Sequence, residues 1–446
     1  MSSPAERALR GRAVRETVKR GSPGGWTAAP GRPDPLALLQ QEDADRVADL
    51  LPIRYGRMAA SPFAFFRGAA VVMAADLAAV ANTGLTVQLC GDAHLLNFGV
   101  FASPERALVF DINDFDETLP GPFEWDVERL AVSFAVAARE NRHGDQHAWA
   151  AARAAVRAYR LAMRRLADLG ELAVWYERLD TAELLPLVRK PGQRKRLEAN
   201  LEHARRRTSM QALGKLTEIR DGHRRIVHAP PLLEPASPPE LLAVDKLFSE
   251  YRSTLPEERR FLMDRFQFVD AARKVVGVGS VGTRCFVLLL TGRDEQDPLF
   301  LQIKEAGPSA LQRHLPAAGH EHQGNRVVVG QRLMQAAGDV FLGWMTGPTG
   351  RHFYCRQLRD MKGSADVETM DPDLLRQYAE LCGTTLARAH ARTGDRIAIA
   401  AYLGKADTFD RAVADFALQY ADQNIRDHGA LTSAISAGDV PPANDL

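Results

Sequence analysis

Helix-like and strand-like patterns of apolar residues alternate along the chain and predict a mixed α+β protein. Residues 125–168 place apolar side chains at helical spacing with Arg on the opposite face, which predicts long amphipathic helices. Ser61 and Pro62 form an N-cap and first-turn pair that predicts a helix over residues 63–78. The tail over residues 371–390 again has the helical pattern of small and apolar residues.

Strand patterns occur in two regions of the chain. In the first region, a short apolar strand over residues 87–90 is followed by a hairpin whose strands include residues 100–101 and 108–110. In the second region, the predicted strands cover residues 283–290, 299–304 and 353–358, with a helix predicted over 326–337. The second region therefore predicts a β-rich unit with one helix inserted.

These patterns divide the chain into four segments that differ in composition and in predicted secondary structure. Residues 1–35 are rich in Arg, Gly and Pro and predict a flexible lead-in, whereas residues 36–265 are mainly helical. Residues 266–365 are β-rich, and residues 366–446 are predicted to be helices that complete the helical lobe. Because 446 residues exceed the usual size of a single hydrophobic core, we expect a two-lobed α+β fold.

Composition narrows the possible partners. The chain has 46% hydrophobic and 25% charged residues, typical of a soluble globular protein. Its 57 basic and 56 acidic residues give no basic surface for nucleic acid, and no run of about 18 apolar residues predicts a membrane span. The four scattered cysteines are typical of a reduced, cytoplasmic protein. No H-E-x-x-H or G-x-S-x-G motif occurs, which argues against zinc and serine hydrolases.

The first group of candidate catalytic and metal-binding residues lies early in the chain. Asp92 and Asn97 have D-x-x-x-x-N spacing, and Asp114 follows on the far side of the predicted hairpin. In nucleotide-dependent phosphotransferases such an Asp accepts or orients the substrate hydroxyl, while the Asn and the second Asp hold Mg²⁺ against the phosphates. We therefore predict that Asp92 orients an acceptor and that Asn97 and Asp114 bind Mg²⁺.

Two further carboxylates compete with Asp114 as metal ligands. Asp111 and Asp116 lie close by, and the four carboxylates between residues 111 and 117 would repel one another unless a cation neutralises some of them. That crowding itself favours a metal site. Asp126 is predicted to be structural, with hydrogen bonds to the backbone of the loop that carries Asp92.

Three arginines are candidate ligands for a phosphate or another anion: Arg54, Arg57 and Arg67. Pairing with carboxylates is the more common outcome for such residues.

The second candidate chemistry lies about 185 residues later. Gly277, Gly279 and Gly282 have G-x-G-x-x-G spacing, with Ser280 between the last two. A β-branched and aliphatic strand follows the glycines, whereas a dinucleotide-binding fold would continue into a helix. Strand, glycine turn and strand form the loop that covers ATP phosphates in kinases, and Lys304 ends the next strand as the α/β-phosphate lysine does.

The two groups of candidate residues are half-sites: the acidic one with Asp92 and Asp114, and the later one with the glycine loop and Lys304. In kinases the glycine loop and the lysine come first, so the order here is reversed. If the two half-sites form one pocket, the chain is a circularly permuted kinase-like fold, which is tolerated where the original termini lie close. The helix that normally runs into the catalytic loop has two candidates, the helix over 63–78 and the one over 381–390.

The early segments resemble a known enzyme family. Gly91–Asn97, Asp114–Phe115 and Trp125–Ala131 resemble the catalytic loop, metal loop and following helix of aminoglycoside phosphotransferases and related small-molecule kinases. This resemblance implies a kinase-like fold, ATP and Mg²⁺ as cofactors, and transfer to a hydroxyl of a small molecule. The chain as a whole is similar to an uncharacterised bacterial family with a domain of unknown function, on five blocks of residues: 54–58, 61–68, 90–99, 113–118 and 330–335.

The sequence departs from the phosphotransferase and kinase pattern at two positions, and these departures leave other functions open. Cys90 stands where the phosphotransferase pattern has a His, and the helix over 326–337 has no carboxylate to pair with Lys304. The second departure favours a non-catalytic, nucleotide-binding regulator, and a third reading is an enzyme of the same fold that transfers AMP. The sequence carries no signal for the acceptor or for oligomeric state.

Overall fold

The computed structural model of the protein describes residues 2–184, 190–316, 319–358 and 361–441. Helices account for most of the described chain, and several begin at a side-chain cap. Asp34 accepts hydrogen bonds from Leu36 N and Ala37 N, and Asp371 accepts one from Leu374 N. The helices are α1 (Pro4–Thr17), α2 (Pro35–Asp43), α3 (Leu51–Ala59), α4 (Pro62–Gly68), α5 (Ala70–Ala78), α6 (Phe123–Glu140), α7 (Asp145–Ala167), α8 (Glu171–Tyr176), α9 (Thr181–Leu184), α10 (Pro191–Arg206), α11 (Ser209–Leu216), α12 (Pro238–Ser253), α13 (Glu257–Met263), α14 (Gln323–Met334), α15 (Pro372–Ala391), α16 (Arg396–Leu403) and α17 (Thr408–Ala437).

Within the described part of the chain, the strands form four antiparallel sheets. They are β1 (Thr86–Leu89), β2 (Phe98–Ala102), β3 (Leu108–Ile112), β4 (Leu119–Pro122), β5 (Thr217–Arg220), β6 (His223–Ile226), β7 (Leu233–Pro235), β8 (Gln267–Lys274), β9 (Cys285–Thr291), β10 (Pro298–Glu305), β11 (Gly343–Thr346), β12 (His352–Gln357) and β13 (Gly363–Ser364). The largest sheet has the order β11-β12-β10-β9-β8-β7. Two smaller sheets, β13-β2-β3 and β1-β4, lie in the helical part, and β5 pairs with β6. The chain is therefore an α+β protein with a large helical portion, and the predicted hairpin at β2 and β3 is confirmed.

Helices cover both faces of the six-stranded sheet. One face is packed with apolar side chains from α12 and α13, including Tyr251 and Met263, and the other receives Leu213 and Leu216 of α11. The helices α11, α12 and α13 therefore pack with the sheet, whereas the sequence predicts that residues 36–265 belong to the helical lobe. The difference arises because an amphipathic helix shows only that it has an apolar face, not which surface that face covers.

The helical part is built on α6, α7, α15 and α17. Its core contains Phe123, Tyr159 and Phe409, which pack with ring centroids about 6 Å apart and are at most 1% exposed. The single helix predicted over residues 63–78 is instead two helices, α4 and α5. The break falls at Ala69, whose φ and ψ of −118° and 40° are not helical.

Residues 2–35 pack against the C-terminal helices, where the sequence predicts a flexible lead-in over residues 1–35. Arg7 Nε lies 2.8 Å from Asp395 Oδ1, and Arg15 Nε donates to the carbonyl of Tyr402. Gly11 is buried where α1 crosses α16, since a Cβ at this position would lie 2.0 Å from the carbonyl oxygen of Ala398. A stretch rich in Arg and Gly is thus held by contacts that lie nearly 400 residues away in sequence.

The C-terminal end of α15 lies beside the start of β1. Thr393 Oγ1 accepts a hydrogen bond from Gln88 N at 3.0 Å, and Gly394 packs against Val87. The end of α15 therefore lies beside the strand that leads to Asp92, and α5 precedes the same strand along the chain. No helix among the described residues is long and apolar enough to cross a lipid bilayer.

Candidate functional site

A cavity of about 550 Å³ lies where the early acidic segments meet the late glycine segment. Its wall combines residues from the loops after β1 and β3, from the end of α4, from the turn between β8 and β9, and from the segment after β10. Seven residues predicted for the site line it: Asp92, Asn97, Asp114, Asp116, Gly277, Gly279 and Ser280. Segments that are far apart along the chain thus face a common space.

Lys304 joins the two segments directly. Its side chain is buried at the end of β10, donates a hydrogen bond to Asp116, and lies 3.6 Å from Asp114 Oδ2. Asp116 also accepts a hydrogen bond from Tyr354 Oη at 2.7 Å, and Ser280 Oγ approaches it at 3.4 Å. The pairing of β10 with β12 places Tyr354 opposite Lys304, so the sheet register fixes both groups that hold Asp116.

The two carboxylates differ in their electrostatic state. Burial and the neighbouring Asp116 raise the pKa of Asp114. Burial also disfavours the charge on Asp116, but Lys304 and the hydrogen bond from Tyr354 outweigh it and lower the pKa of Asp116. Burial opposes the charge on Lys304 as well, yet Asp114 and Asp116 raise its pKa well above the ordinary value. Lys304 thus contacts both carboxylates, and the Arg356 guanidinium adds a second positive charge that favours their ionised forms.

α14 contacts the acidic loop through an arginine. Arg326 is 2% exposed and donates to the carbonyl oxygens of Thr118 at 2.6 Å and Asp116 at 2.8 Å. A third hydrogen bond runs to the carbonyl of Gly307 at 2.9 Å, just after β10. Lys304 therefore finds its carboxylate partners on the acidic loop, and the helix supports that loop through backbone hydrogen bonds.

Asp126 anchors the loop that carries Asp92, as predicted. Its carboxylate accepts hydrogen bonds from Cys90 N at 2.8 Å and Gly91 N at 3.0 Å. His390 Nε2, at the end of α15, lies 3.1 Å from the same carboxylate. The prediction of a structural role for Asp126 is confirmed, and α6, α15 and the loop are joined at one buried group.

Asp92 is held in a fixed orientation at the cavity wall. Arg129 Nε donates to its Oδ1, and the backbone carbonyl of Asp92 accepts a hydrogen bond from Asn97 Nδ2 at 2.6 Å. Burial raises the pKa of Asp92, and the Arg129 guanidinium opposes that rise. His94 is 5% exposed, and burial together with Arg67 lowers its pKa well below the ordinary value, so it is a neutral, polar part of the wall.

Three predicted residues lie behind the cavity wall. Lys304 is one of them, and its ammonium reaches the cavity only through Asp114 and Asp116. Gly282, with φ of +91°, packs against the Arg46 side chain and does not line the cavity. Asp111 is 1% exposed, pairs with Arg388, and accepts a hydrogen bond from Ala336 N at 2.9 Å. The structure thus brings Asp114 and Asp116 to the cavity and holds Asp111 away from it.

Residues before α4 hold the carbonyl groups of the glycine loop. Arg46 Nη1 donates to the carbonyl of Gly279 at 2.8 Å and also to that of Val281. Val47 N donates to the carbonyl of Gly282 at 2.8 Å. Arg57 donates to the carbonyl of Gly277. With these carbonyl oxygens engaged, the loop has a fixed backbone orientation.

The three arginines considered for anion binding have different surroundings. Arg54 is fully buried and pairs with Glu42 and Asp43, and Arg57 binds the glycine loop. Arg67 lines the cavity, and its buried Nε has no hydrogen-bond partner within the described residues.

The donor set fits a magnesium ion bound together with phosphates. The described residues contain no group of three or more His, Cys, Asp and Glu side chains arranged to hold a metal by themselves. Mg²⁺ usually takes one or two carboxylates and completes its shell with water and substrate phosphates. Asp114 and Asp116, which share one ammonium, supply that pair, and the Asn97 amide oxygen is a ligand of the same hard type.

Several supporting residues were missed by sequence reasoning. Arg46, Arg129, Arg326 and Tyr354 each hold a predicted site residue or its loop. Arg129 falls within the segment that resembles the phosphotransferase helix, so its position was visible although its role was not. No local signal marks the other three, because each acts across more than 200 residues of sequence.

These features define an α+β protein with a cavity between its six-stranded sheet and its helical part. A family model described as "Uncharacterized protein conserved in bacteria (DUF2252)" matches residues 46–434. The chain therefore belongs to this family. No curated protein and no solved structure matches the chain.

Proposed function

We propose that this protein is a Mg²⁺- and ATP-dependent phosphotransferase of permuted kinase-like architecture that acts on a hydroxyl of a small molecule. The observation that carries the proposal is the contact of Lys304 and Ser280, from the late half of the chain, with Asp116, from the early half. A lysine on the strand after a glycine loop, facing acidic metal ligands, is the arrangement by which kinases hold ATP phosphates.

The chain order around the sheet supports a kinase-like arrangement. β8, the glycine turn, β9 and β10 with Lys304 follow one another, and α14 comes next. Protein kinases place their glycine loop, lysine strand and αC helix in the same succession. The contact between Thr393 and Gln88 supports the permutation, because joining α15 to β1 there would restore the kinase order without moving either element.

Each site residue has a role under this proposal. Gly277 and Gly279 would let backbone N–H groups approach phosphates, Asp114 and Asp116 would hold the metal ion, and Lys304 would neutralise phosphate charge. Asn97 would complete the metal site, where the ion supplies electrostatic stabilisation of the phosphates. Asp92 orients the acceptor hydroxyl, and Arg129 fixes its carboxylate.

The reaction is an in-line displacement at the terminal phosphorus. The acceptor oxygen forms a bond to that phosphorus, the bond to the β,γ-bridging oxygen breaks, and its electron pair leaves with ADP. The hydroxyl proton passes to Asp92, whose pKa is raised by burial, which makes the carboxylate a stronger proton acceptor. Positioning and charge neutralisation supply most of the catalysis in such a transfer.

A nucleotide-binding regulator is the second candidate. It is favoured by α14, which presents no carboxylate to Lys304 and contacts the acidic loop through Arg326 instead. Incubation with ATP labelled in the α or the γ position separates the candidates. Transfer of γ label supports a kinase, transfer of α label supports AMP transfer, and Mg²⁺-dependent binding without turnover supports a regulator.

Variants test the same site in the binding assay. Asp114→Ala and Lys304→Ala should each weaken Mg²⁺-dependent ATP binding. If binding survives both changes unaltered, the proposed function is wrong.

A further inference from the structure

Arg67 places a positively charged side chain at the cavity wall. The residue lies in the last turn of α4, and its Nε is buried without a hydrogen-bond partner within the described residues. Burial lowers the pKa of its guanidinium, while Asp92 and Glu140 act in the opposite direction. Buried polar atoms normally have hydrogen-bond partners, and a buried donor that lacks one is costly. The arrangement is therefore suited to an anion that enters from the cavity.

Other arginines of the cavity wall are engaged. Arg351 pairs with Glu305 at 2.8 Å, and Arg313 donates to Gln41 Oε1 at 2.7 Å. Arg46 is bound to carbonyl groups of the glycine loop. Arg46 also has a buried Nε without a partner, but its Nη1 is engaged, whereas no guanidinium nitrogen of Arg67 has a hydrogen bond or ion pair within the described residues.

The position of Arg67 is fixed relative to the candidate catalytic groups. Arg129 donates to the carbonyl of Phe66 at 3.0 Å and also holds Asp92, so one guanidinium joins the end of α4 to the acceptor-orienting carboxylate. On the other side, a Cβ at Gly279 would lie 3.2 Å from the carbonyl oxygen of Arg67. The end of α4 therefore lies between Asp92 and the glycine loop, where the terminal phosphate of a bound nucleotide would be.

We propose that Arg67 is a catalytic residue that contacts the terminal phosphate of a nucleoside triphosphate and neutralises its charge during transfer. The inference rests on the proposed function and adds a residue to it. The planar guanidinium matches phosphate oxygens with two parallel donors. An arginine supplied by the same chain stabilises the transferring group in some nucleotide hydrolases, where it strongly increases kcat.

Binding of ADP and of a non-hydrolysable ATP analogue tests this role without knowledge of the acceptor. Titration calorimetry with Mg²⁺ gives both dissociation constants for the full-length protein. Arg67→Gln should weaken binding of the analogue about 10- to 100-fold, the range for loss of a hydrogen bond to a charged group, and change ADP binding less than about threefold. Arg67→Lys keeps the positive charge but loses the paired donors of the guanidinium. Its dissociation constant for the analogue should therefore lie between those of Arg67→Gln and the wild type.

Arg351→Gln is the matched control, because Arg351 lines the same cavity but is paired with Glu305. It should leave the ratio of the two dissociation constants near that of the wild type. An unchanged ratio in Arg67→Gln, with the wild type binding both nucleotides, would overturn the inference and leave the proposed function standing. Failure of the wild-type protein to bind either nucleotide would remove both.

Discussion

Replacing Asp126 with Ala should destabilise the protein strongly, because this carboxylate on α6 is the shared acceptor for groups on two other segments. It is 1% exposed and accepts hydrogen bonds from Cys90 N and Gly91 N, with His390 Nε2 3.1 Å away. Hydrogen bonds to charged groups contribute about 1.5–3 kcal/mol each. Removal would leave two backbone N–H groups and an imidazole without their acceptor in a site closed to water.

The expected loss in the free energy of unfolding is about 3–5 kcal/mol, the usual range when one partner of a buried charged network is deleted. The sum of the separate hydrogen bonds is larger, but relief of the buried charge offsets part of it. Asp126→Asn keeps one acceptor oxygen and should lose less. Urea unfolding followed by circular dichroism measures each variant, with the slope compared to confirm that the transition is of the same kind.

Asp422 provides the matched control. It also pairs with an arginine, Arg139, but its side chain is 57% exposed, so Asp422→Ala should change stability by less than about 1 kcal/mol. Hydrogen exchange adds a local readout, since the amides of Cys90 and Gly91 should exchange faster in Asp126→Ala. If Asp126→Ala and Asp422→Ala unfold at the same urea concentration, the argument that Asp126 joins the loop to α6 and α15 is refuted.

Three further predictions concern the cavity and its surroundings. Lys304→Met should leave Asp114 and Asp116 without their ammonium and weaken Mg²⁺-dependent ATP binding at least about tenfold, measured by calorimetry; equal binding would contradict the role of this lysine. Arg46→Met removes two hydrogen bonds to glycine-loop carbonyls, so amides of residues 275–284 should exchange faster, and an unchanged exchange pattern would show that Arg46 does not restrain the loop. Burial, with Arg356 as a further cause, lowers the pKa of Lys362 to about 7. Since the ordinary value is 10.5, wild-type stability should rise between about pH 7 and pH 10 by on the order of 1–3 kcal/mol relative to Lys362→Met; parallel curves in urea unfolding would contradict it.

The local features of the site could be predicted from the sequence because they depend on neighbours along the chain. The hairpin of β2 and β3, the strand at β10 and the helix at α14 follow from apolar periodicity and turn residues. The spacing of Asp92 and Asn97 places both on one loop, and the strand after Gly282 distinguishes the glycine turn from a dinucleotide-binding loop. Asp126 could also be assigned its structural role, since its position after the acidic loop fits a known pattern.

Local sequence does not determine which carboxylate faces the cavity. Asp111 and Asp116 are only five residues apart, yet Asp111 lies on β3, where every residue is buried, and pairs with Arg388 of α15. Asp116 lies after the strand, where Lys304 and Tyr354 reach it. The decision came from helices and strands more than 180 residues away.

By itself the sequence determined the order of helices and strands, the two half-sites and their residue types, since periodicity and spacing act over a few residues. Only the tertiary structure decided that Lys304 reaches Asp116, that Arg67 faces the cavity while Arg54 pairs with Glu42, and that α1 packs on α16. These outcomes depend on which amphipathic surfaces are buried together. That choice is set by packing of the whole chain, and no local pattern encodes it.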